Sequence, residues 1–185
     1  MIDDVLAEAR QSMEKAIQAL NADLAALRTG RASTALVDKL MVDYYGTPTH
    51  LKELALISIP ESQLIAIKPY DPGAMKNIER AIMQSDLGLT PNNDGKIIRL
   101  QIPSLTEERR RDLTKQASRR VEEAKVAVRN IRRSSLEDLR NFEKENLLTE
   151  DDLYLGKEQI QELTDELIKK IDEIGAAKEK EILEI

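Results

Sequence analysis

All six prolines of this chain lie between residues 48 and 103. Proline removes a backbone donor and clashes with the preceding turn, so a helix interior tolerates it badly, at a cost of about 3 kcal/mol. Long helices are therefore confined to the two proline-free ends. Apolar residues at those ends recur at steps of three and four, the period of a helix with one buried face. Ile2, Leu6, Ala9, Met13, Ala16, Leu20, Leu24 and Leu27 line one stripe over residues 2–28. Asp3 and Asp4 sit in its first turn, where the helix dipole favours them, and Gly30 is a plausible stop. A second helix spans 104–145, with Ser104 and Glu107 as a capping box after Pro103. Its stripe runs Leu113, Ala117, Val121, Ala124, Val128, Ile131, Ser135, Leu139 and Phe142. At 1.5 Å per residue it is about 60 Å long. A third helix starts near Thr149–Asp152 and carries Leu153, Ile160, Leu163, Leu167, Ile171, Ile174 and Ile182. Gly156 and Gly175 weaken it locally, each by about 1 kcal/mol relative to alanine. None of the three can bury its apolar face alone, which predicts an elongated antiparallel three-helix bundle.

Between the helices the period drops to two. Leu40, Val42 and Tyr44 alternate with Met41, Asp43 and Tyr45, and Gly46-Thr47-Pro48 then turns the chain. Short β-like runs follow at 57–59 and 64–67, separated by Pro60, and another at 98–102 after the turn string Pro91-Asn92-Asn93-Asp94-Gly95. One helix, roughly 74–87, shows Met75, Ile78 and Ile82 on one face. The expected fold class is α+β. A bundle of residues 1–30 and 105–185 carries a small β/α/β domain, 31–104, inserted between helices one and two. Two short crossings join the parts, and hinge motion is the default across a small interface.

With no cysteine, disulfides, thiolate catalysis and cysteine-based metal sites are excluded. The N-terminus lacks the basic start and apolar run of a signal peptide, and no run approaches the roughly 18 apolar residues of a membrane span. A soluble, cytoplasmic protein is expected. The lone histidine, His50, has no serine, cysteine or metal-ligand spacing around it. No phosphate-binding glycine loop and no HExxH string occurs. Glu107 and Glu108 sit at a helix start, where they complement the dipole rather than form an acid–base pair. Nothing supports an enzyme, a metal or a cofactor.

The net charge of -6 hides an asymmetry. Residues 109–140 carry 11 basic groups against 5 acidic, a local excess of six. A local patch governs binding because charges are screened over a Debye length of about 8–10 Å. At 100° per residue, Arg111, Lys115, Arg119, Lys125, Arg129, Arg132, Arg133 and Arg140 share a flank beside the apolar stripe. One reading is a row of cations that tracks phosphates, for which the planar arginine fork is suited. The other is a solvated flank whose arginines, such as Arg129 and Arg133, pair with the strongly acidic third helix. Tyr44 and Tyr45 are candidates for base stacking; in a strand they point to opposite faces, so at most one stacks outward. A bundle-type adaptor that binds proteins is the rival function, and salt dependence separates the two.

Several strings resemble the ribosome recycling factor family. They are LRTGRAS at 27–33 with VDYYG at 42–46, and SDLGLTPNNDGKIIRLQIPSLTEERRRDL at 85–113. VRNIRR at 128–133, IQELTDELIKKIDE at 160–173 and KEKEIL at 178–183 complete the set. Together they cover essentially the whole chain in order. PTHLKEL at 48–54 departs from the family's usual string there. The resemblance implies an L-shaped monomer close to a transfer RNA in outline. It implies action after termination with elongation factor G and GTP, the GTP chemistry being the partner's. The factor would bind large-subunit rRNA, disrupt intersubunit bridges and release the subunits from mRNA. RNA contacts carry over onto Arg28, Arg31, Arg110, Arg129 and Arg132, with Arg133 adjacent, although the helical wheel puts Arg110 beside the apolar stripe. Gly30, Pro103, Ser104, Leu105 and Thr106 would be the hinge.

Overall fold

The computed structural model describes residues 1–184, which fall into two compact units. One comprises Met1–Arg28 with Glu107–Glu184, the other Thr29–Thr106.

The first unit is three helices: α1 (Ile2–Ala26), α4 (Glu107–Lys144) and α5 (Glu150–Leu183). The periodic apolar residues face inward, and Met13, Leu113, Val128, Leu139, Ile160, Leu167 and Ile171 are fully buried or nearly so. Val5 shares a cluster with Leu139, Leu153 and Ile160. At the other end Asp23 meets Arg120. Hence α4 runs antiparallel to both neighbours, and α1 and α5 run the same way. Arg10 ties these two together through a paired contact with Glu166 at 3.1–3.2 Å.

Each helix end has a local cause. α1 stops at Ala26, four residues before Gly30, as Leu27 turns extended. Ser104 does not cap α4: the helix begins at Glu107, and the Ser104 hydroxyl is bonded to Gln63 instead. α4 closes with Asn146 in the left-handed region (φ 58). There Leu147 N–H reaches the Phe142 carbonyl (2.8 Å) and Asn146 N–H the Glu143 carbonyl (2.9 Å), a Schellman stop. Thr149 then caps α5 in a reciprocal box with Asp152, whose carboxyl those hydrogen bonds hold below its usual range. Gly156 and Gly175 do not interrupt α5. A Cβ at Gly156 would lie 2.8 Å from Leu139 and one at Gly175 2.9 Å from Val121. Both glycines let α4 approach closely, which offsets their poor helix propensity.

The second unit orders as β1 (Met41–Tyr44), β2 (Thr47–His50), α2 (Leu51–Leu54), β3 (Ala55–Glu61), β4 (Leu64–Pro69), α3 (Met75–Gln84), β5 (Pro91–Asn93) and β6 (Ile98–Gln101). β1 and β2 form a hairpin, while the other strands make an antiparallel sheet in the order β3-β4-β6-β5. Val42, Ile65, Ile67, Ile98 and Leu100 pack against Ile78 and Ile82 of α3. Pro91-Asn92-Asn93 is thus an edge strand rather than a turn. Proline is tolerated as the first residue of an edge strand, because no neighbour needs its N–H. Among the described residues no helix is long and apolar enough to cross a membrane.

Candidate nucleic-acid interface

α4 buries Leu113, Ala117, Ala124, Val128, Ser135 and Leu139, and its basic flank lies beside that face. Arg129, Arg132 and Arg133 occupy adjacent turns, about 6 Å of helix axis from first to last. Their surroundings differ. Arg129 is exposed and pairs with Glu122, two turns back on the same helix, at 3.2 Å. Arg132 is half-buried, and its Nη1 donates to Gln161 Oε1 on α5 at 2.9 Å. Arg133 is exposed, with no hydrogen bond or ion pair among the described residues. Lys115 and Arg140 are exposed in the same way.

The rest of the flank is committed to carboxylates. Arg111 meets Glu107 at 3.9 Å, Arg119 meets Glu123 at 3.3 Å, and Lys125 meets Asp172 of α5. The acidic third helix therefore takes Lys125 rather than Arg129 or Arg133. The pairs of Arg111 and Arg119 are exposed and worth about 0–1 kcal/mol, so an incoming phosphate can displace them, whereas Lys125 is half-buried.

Arg110 stands at the head of α4, about 29 Å along the axis from Arg129. It is half-buried, in keeping with its place beside the apolar stripe, and its carbonyl accepts from Thr114 at 3.0 Å. Arg28 ends the bundle unit and Arg31 lies in the small unit; both are exposed. The structure thus brings Arg129, Arg132 and Arg133 together and leaves Arg28, Arg31 and Arg110 apart from them in the chain.

The residues at the crossings are tied into the small unit. Gly30 is buried with φ +77, and a Cβ there would lie 3.0 Å from Leu105. Ala32 N–H donates to the Ser62 carbonyl and Ile102 N–H to the Gln63 carbonyl, both at 2.8 Å. Ser104 meets the Gln63 amide at 3.1–3.2 Å. Both crossings are thereby anchored on the β3–β4 turn. Pro103 and Thr106 are exposed, and Leu105 is half-buried.

The tyrosine pair divides between core and solvent, with Tyr44 packed against the core and Tyr45 exposed, but not as two faces of one strand. β1 ends at Tyr44, and Tyr45 enters the turn with φ 49, next to Gly46 at φ 82. Two positive φ values in a two-residue loop are the type I′ geometry that matches strand twist. Both hydroxyls donate to Asp71, Tyr44 at 3.0 Å and Tyr45 at 3.2 Å, with the rings edge-to-face. The Asp71 carboxyl is held below its usual range, first by Gly73 N–H and then by Tyr44. Tyr45 is 77% exposed, so its ring face is open although its hydroxyl is committed.

A ribosome recycling factor model matches residues 20–183. The ribosome-recycling factor of Oleidesulfovibrio alaskensis is 53% identical over 184 residues, all of both chains. A solution structure of the ribosome recycling factor superposes with a TM-score of 0.76 at 41% identity, over 100% of this chain and 98% of that one. The T. thermophilus ribosome recycling factor, placed with E. coli elongation factor G on the E. coli post-termination complex, gives 0.64 at 43% identity over 99% of each. With a match of this extent and identity, the chain belongs to the ribosome recycling factor family, which are translation factors and not enzymes.

Proposed function

We propose that the chain, a cytoplasmic monomer, acts with elongation factor G and GTP on post-termination ribosomes. It splits them into subunits and frees them from mRNA. The bundle binds large-subunit rRNA through phosphates, and the small unit takes the partner's push and carries it to an intersubunit bridge. The observation that carries this reading is the flank of α4, where Arg133, Lys115 and Arg140 point outward with no carboxylate bound among the described residues. Side chains that serve only the bundle would be neutralised or replaceable. Arg129 and Arg132 join them on adjacent turns, and Arg110, Arg28 and Arg31 extend the contact. The relative placed with elongation factor G on a post-termination complex supports the choice of partner. GTP hydrolysis belongs to that partner.

Gly30 with Pro103, Ser104, Leu105 and Thr106 is the proposed hinge. The hydrogen bonds from Ala32, Ile102 and Ser104 to the β3–β4 turn narrow the flexible part to the residues just outside them. The test is light scattering of post-termination ribosomes mixed with the chain, elongation factor G and GTP. Scattering falls if the reading holds, and stays level if the chain does not split ribosomes.

A further inference from the structure

Arg132 is the one arginine of the 129–133 cluster that reaches across to another helix. Its Nη1 donates to Gln161 Oε1 at 2.9 Å. The Gln161 amide nitrogen in turn donates to Asp165 at 2.8 Å. The amide is thereby oriented: reversed, it would set donor against guanidinium and oxygen against carboxylate. Arg132 Nε is buried without a hydrogen-bond partner. A buried donor without an acceptor costs the folded protein free energy. The guanidinium is thus pinned at one nitrogen and not neutralised.

The contrast with its neighbours gives this meaning. Arg111, Arg119, Lys125 and Arg129 each rest on a carboxylate. A phosphate that binds one of these must displace a negative charge. At Arg132 it has only a neutral amide beside it, and nothing to displace. A pinned arginine also gives up less rotamer freedom on binding than a free one.

We propose that Gln161 is a positioning residue: it fixes the Arg132 guanidinium for a phosphate oxygen of RNA while leaving its charge uncancelled. The proposal rests on the RNA-binding reading above. It makes the neutrality of residue 161 the decisive property, since a glutamate there could still accept from Arg132 but would cancel its charge, and would give up the bond to Asp165.

The test measures affinity of the full chain for purified large ribosomal subunits over a salt series. The proteins compared are wild type, Gln161→Glu, Arg132→Ala and the double variant, with melting temperature recorded for each. Gln161→Glu is expected to weaken binding about tenfold. It should also reduce the slope of log affinity against log salt by about 0.7–0.9, one phosphate contact, as Arg132→Ala does. In the Arg132→Ala background it should add no further loss of affinity, and with Arg132 present its melting temperature should stay near that of wild type, the new charge pair offsetting the lost bond to Asp165. Wild-type affinity in Gln161→Glu, with Arg132→Ala impaired, overturns the positioning role alone. An equal loss in both backgrounds also overturns it, because the added charge would then act without Arg132. Unchanged binding by Arg132→Ala, with no salt slope in wild type, overturns the RNA reading and the proposal with it.

Discussion

The two units use their polar side chains in opposite ways. In the small unit carboxylates are spent on backbone. Asp71 accepts from Gly73 N–H and two tyrosines, Asp94 from Lys96 and Ile97 N–H groups and from Arg99, and Asp43 from Gly46 N–H. Short strands joined by tight turns need such bonds, because few of their backbone groups find partners within one element. In the bundle the backbone satisfies itself along each helix. Its charged side chains are left for one another or for solvent, and Lys115, Arg133 and Arg140 go uncommitted among the described residues. A helix bundle therefore supplies spare charge cheaply, while a small sheet unit supplies a fixed shape.

Substitutions sharpen that division. The largest effect is expected for Leu139→Ala, which empties a fully buried position against Gly156. It should cost about 2–5 kcal/mol in denaturant unfolding. Gly30→Val forces a β-branched residue to φ +77 and toward Leu105. It should cost about 1–3 kcal/mol, seen as faster hydrogen exchange around residues 28–32 and 102–106. Ribosome splitting should fall more than ribosome binding; equal loss of both would deny the hinge role. Asp71→Asn removes the charge that two tyrosines share and should destabilise the small unit by less than either of these. Its exchange effect should stay within the small unit, with large-subunit affinity unchanged. Weaker binding by this variant would break the comparison.

The smallest effect is on pH dependence. Arg99 first, then the Ile97 and Lys96 N–H groups, hold the Asp94 carboxyl far below the usual carboxylate range. A lowered folded value means that its stabilisation is complete above the unfolded pKa of about 3.9. That contribution declines once pH drops below the unfolded value and is gone when pH has fallen through the lower folded value. Carbon-detected NMR titration should find Asp94 still ionised at about pH 3. Protonation near pH 4 would show that the loop does not hold it.

The bundle could be read from the chain because its signal is local and repeated. A stripe at steps of three and four survives an error of several residues at either end, as the stop of α1 at Ala26 and the start of α4 at Glu107 show. The small unit depends on pairings that composition does not carry. Pro91-Asn92-Asn93 has turn residues, yet β6 makes it a strand. Tyr45 reads as strand, yet Asp71, 26 residues on, holds it in a turn. The cluster at Arg129, Arg132 and Arg133 was visible as charge on one flank. What distinguishes its members was not, because Glu122 and Gln161 are set against them by helix phase and by packing between helices.

The measurement closest to the central claim compares wild type with a variant carrying Arg129→Ala, Arg132→Ala and Arg133→Ala, in binding to purified large subunits from low to high salt. The wild-type affinity should fall steeply and linearly with log salt, and the variant's slope should be shallower by about two to three units, with its melting temperature nearly unchanged. Parallel slopes, or a wild-type affinity indifferent to salt, would contradict phosphate recognition by α4.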